Sequence, residues 1–192
     1  AVYGEAMGIL AGDALLNLAF ETAAGAFDIE TSARTAKALQ ILAKKAGIYG
    51  MIGGQVLDML AEHRRISETD LRLLQKLKTG CLLRAACELG CAAAGKTDTE
   101  SIAAARAYGD KLGLAFQIED DILDIEGDEK TLGKSIGKDA ASEKSTFPSL
   151  LGLDACRKLA GELTEQAVAA LTPYEGRAFL ETLARSLTGR KS

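Results

Sequence analysis

Histidine, tryptophan and paired cysteines are scarce or absent in this sequence. The 192 residues contain no tryptophan and one histidine, His63, which lies in a charged stretch typical of a solvated connection. A Ser-His-Asp or Cys-His mechanism would depend on that residue alone, and we discount it. The four cysteines form no CxxC pair, which argues against a zinc or dithiol motif and fits a reduced, cytoplasmic compartment.

An excess of basic residues and a long apolar run are also missing. The formal net charge is −4, whereas proteins that bind nucleic acid usually carry a basic patch, so we expect no nucleic acid partner. No apolar run approaches the ~20 residues that cross a bilayer. The composition therefore predicts a globular protein without a membrane span.

Proline is rare and β-branched alternation is nearly absent, while apolar residues recur at three- and four-residue spacing. No linker or low-complexity tract divides the chain. The pattern predicts an all-α protein with a single domain over 1–192. Its helices are predicted at about 3–25, 32–61, 68–93, 98–126, 154–171 and 174–189.

Two rows of glycine interrupt these helical patterns. Gly4, Gly8 and Gly12 recur at every fourth position, and Gly50 and Gly54 do so again. Glycine inside a helix costs up to ~1 kcal/mol relative to alanine. The rows therefore predict close helix–helix approach, either within the subunit or between subunits.

Three aspartates, Asp120, Asp121 and Asp124, stand in a strongly apolar segment. On a helix they share one side with Gln117, and like charges at this spacing repel. A cation would offset this cost, and ligands that are all oxygen suit Mg²⁺, with Mn²⁺ as the alternative. A solvated acidic helix face is the other reading, but the apolar surroundings and the residues that follow favour a metal site.

A loop rich in glycine and lysine follows the aspartates, from Glu126 to Phe147. Lysines such as Lys134 and Lys144 are flexible point charges suited to phosphate, and a metal on the aspartates could bridge to the same group. Composition alone fits an ordinary surface loop. The position of the loop beside the aspartates predicts a diphosphate site.

A second phosphate-binding pattern, G-x₄-G-K-T, occurs at residues 90–97. That motif works only when it follows a buried strand and opens a helix. The preceding residues have helical spacing, so we interpret the match as a helix end at Gly95 followed by a new helix cap.

Two polar pairs lie within otherwise apolar helices. Lys78 and Thr79 could direct an ammonium and a hydroxyl group into an internal cavity, or Lys78 could be a surface lysine. Gln55 and Asp58 could form a buried pair near the site or a helix face turned outward. The spacing leaves both cases open.

Together these segments resemble the trans-isoprenyl diphosphate synthase family, in particular the bacterial farnesyl diphosphate synthases. The most specific segment is 116–124, which is similar to the family's second aspartate-rich motif. The other matching segments occur in the family's order, at 10–15, 53–58, 78–80, 132–134, 137–139 and 144–148.

The resemblance implies a bundle of long helices around a central apolar cavity, and usually a homodimer. It implies that a Mg²⁺-dependent prenyltransferase ionises an allylic diphosphate (dimethylallyl or geranyl) and condenses it with isopentenyl diphosphate. The product would be short, such as farnesyl diphosphate. The implied roles are metal binding for Asp120, Asp121 and Asp124; diphosphate binding for Lys78, Lys134 and Lys144; stabilisation of the allylic cation by Thr79 and Gln117; a metal-bound water network for Asp139; and cavity lining for Gln55 and Asp58.

One departure from the family is large. Its first aspartate-rich motif, with paired arginines, and its N-terminal region have no counterpart in 1–192. We therefore expect the chain to be the C-terminal two-thirds of a synthase and to be inactive, or nearly so, by itself. There are two alternatives. One is a non-catalytic subunit of a heteromeric synthase, although such subunits often lose aspartates. The other is a class I terpene cyclase, although such cyclases usually mix Asn, Ser or Glu into this motif.

Overall fold

The structure is a computed structural model that describes residues 3–126 and 144–188. Every regular element within these residues is helical, which confirms the all-α class. The elements, in chain order, are α1 (Glu5–Ile29), α2 (Ala33–Ala46), α3 (Met51–Ala61), α4 (Glu68–Gln75), a π-helical segment (Lys76–Gly80), α5 (Cys81–Ala93), α6 (Thr99–Glu126), α7 (Phe147–Leu151), α8 (Leu153–Ala170) and α9 (Ala178–Thr188).

The predicted helix at 32–61 is wrong in one respect, because it breaks between α2 and α3. A Cβ atom at Gly50 would lie 2.0 Å from the carbonyl oxygen of Lys45, so the tight connection leaves no room for a side chain. The short helix α7 was not predicted. Thr146 caps it through a reciprocal pair with Ser149, and Pro148 lies in its first turn, where a proline is tolerated.

Helix α6 is the central element and packs against α8, α5 and the π segment. Its residues Ala115, Ile118 and Ile122 form one core cluster with Phe147 and residues of α4 and α8. Tyr108 and Leu112, nearer its start, form a second cluster with α8 and α9. Because residues of α6 are buried in both clusters, the helix cannot rotate about its axis. The direction of its polar side chains is therefore fixed.

The helix over 68–93 has its predicted extent, but Lys76–Gly80 adopts π-helical geometry, which the periodicity did not predict. Two glycines bring neighbouring backbones against this segment. A Cβ at Gly54 would lie 2.2 Å from the backbone nitrogen of Lys78, and one at Gly113 would lie 2.9 Å from Cα of Gly80. The close approach predicted for Gly54 is therefore confirmed.

The glycine row of α1 behaves differently. A Cβ at Gly4, Gly8 or Gly12 would meet no atom within 4 Å. No residue of α1 is buried, although the helix is rich in apolar side chains. Close approach of this row within the described subunit is therefore wrong, and approach between subunits stays a prediction.

An apolar cavity of about 480 Å³ lies between α5, α6 and α9, beside Tyr108, Leu112 and Leu180. It adjoins the first half of α6, whereas the aspartates lie near the end of that helix. No described helix is both long and apolar enough to cross a membrane.

Candidate active site

Two lysines from distant parts of the chain meet at one buried carboxylate. Lys78 Nζ lies 2.5 Å from Oδ2 of Asp58, and Lys144 Nζ lies 2.8 Å from Oδ1. The Asp58 side chain is 6% exposed. Burial alone would raise the pKa of this carboxyl, but the hydrogen bonds and charges of Lys144 and Lys78 outweigh it and lower the pKa below its ordinary range.

A chain of hydrogen bonds runs alongside this pair. The Thr79 hydroxyl donates to Oε1 of Gln117 at 3.1 Å, and Nε2 of Gln117 donates to Oδ1 of Asp121 at 3.2 Å. The backbone N–H of Phe147 donates to the other oxygen, Oδ2, at 3.0 Å. The π segment, α6 and the start of α7 are thus joined through one carboxylate.

A polar cavity of about 140 Å³ brings these groups together. Its charged and amide-bearing lining residues are Asp58, Gln75, Lys78, Gln117, Asp120, Asp121 and Lys144. The wall of this cavity therefore carries two lysines together with aspartates. Such a wall suits a polyanion that is bound together with a cation.

The three clustered aspartates differ in burial and in whether they line the polar cavity. Asp120 is partly exposed and lines the polar cavity, and Asp121 lines it while being 5% exposed. Asp124 is buried and is not among the lining residues. The role of the three as a ligand set stays a prediction.

The other predicted site residues fall into two groups. Asp58 is buried in the site, whereas Gln55 on the same helix is exposed and does not line the polar cavity. Lys134 and Asp139 lie outside the described residues, so their predicted roles stay predictions.

The fit of the cavity to a metal rests on its donor chemistry. No group of three or more His, Cys, Asp or Glu side chains is arranged to hold an ion among residues 3–126 and 144–188. Mg²⁺ usually binds through one or two carboxylates and completes its shell with water and substrate phosphates. The oxygen donors of Asp120 beside two lysines fit that mode better than an all-protein cage.

Sequence reasoning missed Gln75. Its Oε1 atom is buried and accepts no hydrogen bond within the part of the chain that the structure describes, and its side chain lines the polar cavity. A buried acceptor without a donor is costly, so a bound water or ligand donor would be stabilised there. Its position three residues before Lys78, on the same helix face, is the signal that could have found it.

Comparison with known proteins identifies the family of the chain. A family model described as Polyprenyl synthetase matches residues 1–174. The chain is 42% identical over 191 residues to the farnesyl diphosphate synthase of Haemophilus influenzae, covering 99% of this chain and 64% of the relative. It is 45% identical over 166 residues to that of Escherichia coli, covering 86% and 56%. The chain therefore spans about three-fifths of the length of these two relatives.

Solved structures agree with these relatives. A Helicobacter pylori geranyltransferase complexed with magnesium and isoprenyl diphosphate superposes with a TM-score of 0.81 and 33% identity, covering 98% of this chain and 61% of that one. A Caulobacter crescentus polyprenyl synthase complexed with calcium and isoprenyl diphosphate gives 0.86 and 31%, covering 100% and 68%. The fold is therefore the all-α fold of these solved isoprenoid synthases. This chain belongs to the polyprenyl synthetase family.

Proposed function

We propose that this chain carries the metal- and diphosphate-binding part of a prenyltransferase active site. The whole enzyme would condense isopentenyl diphosphate with an allylic diphosphate to a short-chain product such as farnesyl diphosphate. The observation that carries this proposal is the convergence of Lys78 and Lys144 on Asp58, in the cavity that Asp120 lines. The names of the relatives support it and do not favour a terpene cyclase or a non-catalytic subunit.

The lysines supply the substrate-binding chemistry. Each ammonium group is a compact charge with several donors, and hydrogen bonds between charged groups are roughly twice as strong as neutral ones. Lys78 and Lys144 would hold the allylic diphosphate and stabilise the charge that develops on pyrophosphate as it leaves. Lys134 would join them, as the family resemblance implies.

The acidic face of α6 would bring the metal to the same diphosphate. Bound Mg²⁺ supplies Lewis-acid stabilisation of the leaving pyrophosphate. Asp120, on the cavity wall, would hold it together with substrate oxygens. Thr79 and Gln117, already oriented by their mutual hydrogen bond, would direct oxygen dipoles towards the allylic cation. Homodimer formation and a cytoplasmic location remain part of the proposal.

Calorimetry with sodium pyrophosphate tests the binding half of this proposal on the chain itself. We expect Mg²⁺ to tighten binding, Asp120→Asn to remove that gain, and Lys78→Ala to weaken binding roughly 10- to 100-fold. Lys158→Ala is the matched control, because its side chain is 80% exposed on α8, outside the polar cavity. A wild-type chain that binds no pyrophosphate in Mg²⁺ would overturn the proposed site.

The condensation is tested by incubation with Mg²⁺, isopentenyl diphosphate and geranyl diphosphate, followed by mass spectrometry for farnesyl diphosphate. The assay compares the chain alone with a chimera that carries the N-terminal region of the Haemophilus influenzae relative before residue 1. We expect product from the chimera. A folded chimera that binds Mg²⁺ and pyrophosphate but forms no product would argue for a non-catalytic subunit.

A further inference from the structure

We propose that Asp121 is a positioning residue, which holds the segment 144–147 so that Lys144 stays in the diphosphate site, and that it is not a metal ligand. This inference rests on the proposed function, because it assigns Lys144 to diphosphate binding. Within the aspartate motif, Asp120 would bind the metal, whereas Asp121 would position Lys144.

The geometry of the Asp121 carboxylate carries the inference. Its two oxygens accept hydrogen bonds from different elements, Oδ1 from Gln117 on the same helix and Oδ2 from the backbone of Phe147. Asp121 is 5% exposed and Phe147 is completely buried. A carboxylate that turned towards an ion would give up one or both of these hydrogen bonds, and a buried N–H that loses its acceptor is costly.

The Phe147 anchor bears directly on Lys144, which lies three residues earlier. Ser145 ties the same segment to the connection between α3 and α4, where its hydroxyl accepts from the backbone of Ile66 at 3.1 Å. The contact with Asp121 ties it instead to the helix that carries Asp120. The anchor thus sets the position of the Lys144 ammonium group relative to the metal-binding face.

Asparagine at position 121 can keep this network without the charge. Its side-chain oxygen can accept from the Phe147 N–H, and its amide nitrogen can donate to Gln117 once the Gln117 amide turns over. The turned amide then donates to the Thr79 hydroxyl, which can accept as well as donate. Alanine at position 121 removes the contacts with Phe147 and Gln117. Asp121→Asn therefore removes only the negative charge, whereas Asp121→Ala removes both the charge and the hydrogen bonds that hold Phe147 and Gln117.

Without metal, Asp121→Asn and Asp121→Ala should change the affinity for pyrophosphate in opposite directions. In EDTA a metal ligand contributes nothing, and loss of one negative charge near the site should tighten anion binding roughly two- to fivefold. We expect this tightening for Asp121→Asn and for the comparison variant Asp120→Ala. Asp121→Ala should instead bind roughly three- to tenfold more weakly than wild type, because it loses the positioned Lys144.

A double-mutant cycle identifies the partner through which Asp121 acts. We expect Lys144→Ala and Asp121→Ala to be strongly non-additive for pyrophosphate in EDTA, because the second change removes little once Lys144 is gone. Additive effects, or tightening by Asp121→Ala, would overturn the proposal. In Mg²⁺, Asp121→Asn should keep the metal-dependent gain that Asp120→Asn loses; equal loss in both variants would make Asp121 a ligand.

Amide hydrogen exchange at Phe147 reports the anchor independently of any ligand. Exchange should be at least roughly tenfold faster in Asp121→Ala than in wild type, and near wild type in Asp121→Asn. Equal exchange in all three proteins would refute the anchor. If wild type binds no pyrophosphate, the proposed site is wrong, and this exchange measurement still decides whether Asp121 holds the segment. If Asp121→Ala does not fold, the Asp121→Asn arms in EDTA and Mg²⁺ decide.

Discussion

The ammonium group of Lys78 lies 2.5 Å from Oδ2 of Asp58, a residue 20 positions away in the sequence. The contact depends on Gly54, one helical turn before Asp58, because the backbone of Lys78 occupies the space that a side chain at Gly54 would need. Close packing of α3 on the π segment therefore creates the ion pair.

Gly54→Ala should destabilise the protein and disturb the site. The added methyl group would lie 2.2 Å from the backbone nitrogen of Lys78, and backbone atoms cannot move aside as a side chain can. We expect a loss of about 2 kcal/mol or more in the free energy of unfolding, measured in urea. Gly161→Ala is the matched control: its methyl group meets no atom within 4 Å on the exposed side of α8, so it should stabilise α8 by about 0.5–1 kcal/mol. Equal effects at both positions would contradict the packing.

Asp58→Asn should destabilise the protein at neutral pH. It leaves Lys78 and Lys144 close together without their counter-charge, and we expect a loss of about 1–3 kcal/mol in the free energy of unfolding, since both lysines are partly exposed. The control is Asp13→Asn on the exposed helix α1, which should change stability by less than about 0.5 kcal/mol.

The stability difference between wild type and Asp58→Asn should decrease as the pH falls. The pKa of Asp58 is lowered in the folded protein, so the carboxylate stabilises the fold above its unfolded pKa. That contribution is lost as the pH falls through the lowered pKa, below about pH 4. Urea unfolding of wild type and Asp58→Asn should therefore converge in acid. A constant gap down to the lowest accessible pH would show that the two lysines do not set the titration.

Phe147→Ala should be among the most destabilising single changes in the described chain. The ring is completely buried in the cluster formed by α4, α6 and α8, so its loss should cost about 3–5 kcal/mol. Phe179→Ala makes the same change at a side chain that is 73% exposed on α9, and it should cost less than about 1 kcal/mol. Thermal unfolding of both variants by circular dichroism checks the contrast, and similar melting temperatures would show that Phe147 is not a core residue.

The Cys87 thiol should resist alkylation at neutral pH. Burial, with smaller contributions from the charges of Cys91, Asp110 and Glu88, raises its pKa to about 11. Because the thiolate is the reactive form, labelling by iodoacetamide at pH 8 should be roughly 100-fold slower than for an ordinary cysteine. Peptide mass spectrometry should show the rate still rising above pH 10. In urea the same thiol should titrate in the ordinary range, and a folded-state midpoint near pH 8.5 would contradict the burial.

Local patterns in the sequence predicted most of the helices. The spacing of apolar residues predicted the extent of the helix over 68–93 and of α6, since each helix buries one face and repeats it every turn. The break between α2 and α3 was missed because Gly50 was interpreted as part of a glycine row inside one helix. In the structure the backbone of Lys45 occupies the place that a side chain at position 50 would need. The π-helical geometry of Lys76–Gly80 could not be predicted, because a single π-helical turn does not change the three- and four-residue spacing of the apolar residues around it.

The sequence by itself determined that the protein is all-α, and it placed Asp120, Asp121 and Gln117 on one helix side, because both follow from contacts within a few residues. Only the tertiary structure decided which polar groups meet. Lys144 reaches Asp58 across 86 positions, and Phe147 reaches Asp121 across 26. Such contacts depend on how closely two backbones pack and on which buried donor lacks another acceptor, and neither property can be read from local spacing. For that reason three similar aspartates in the sequence become residues in three different surroundings.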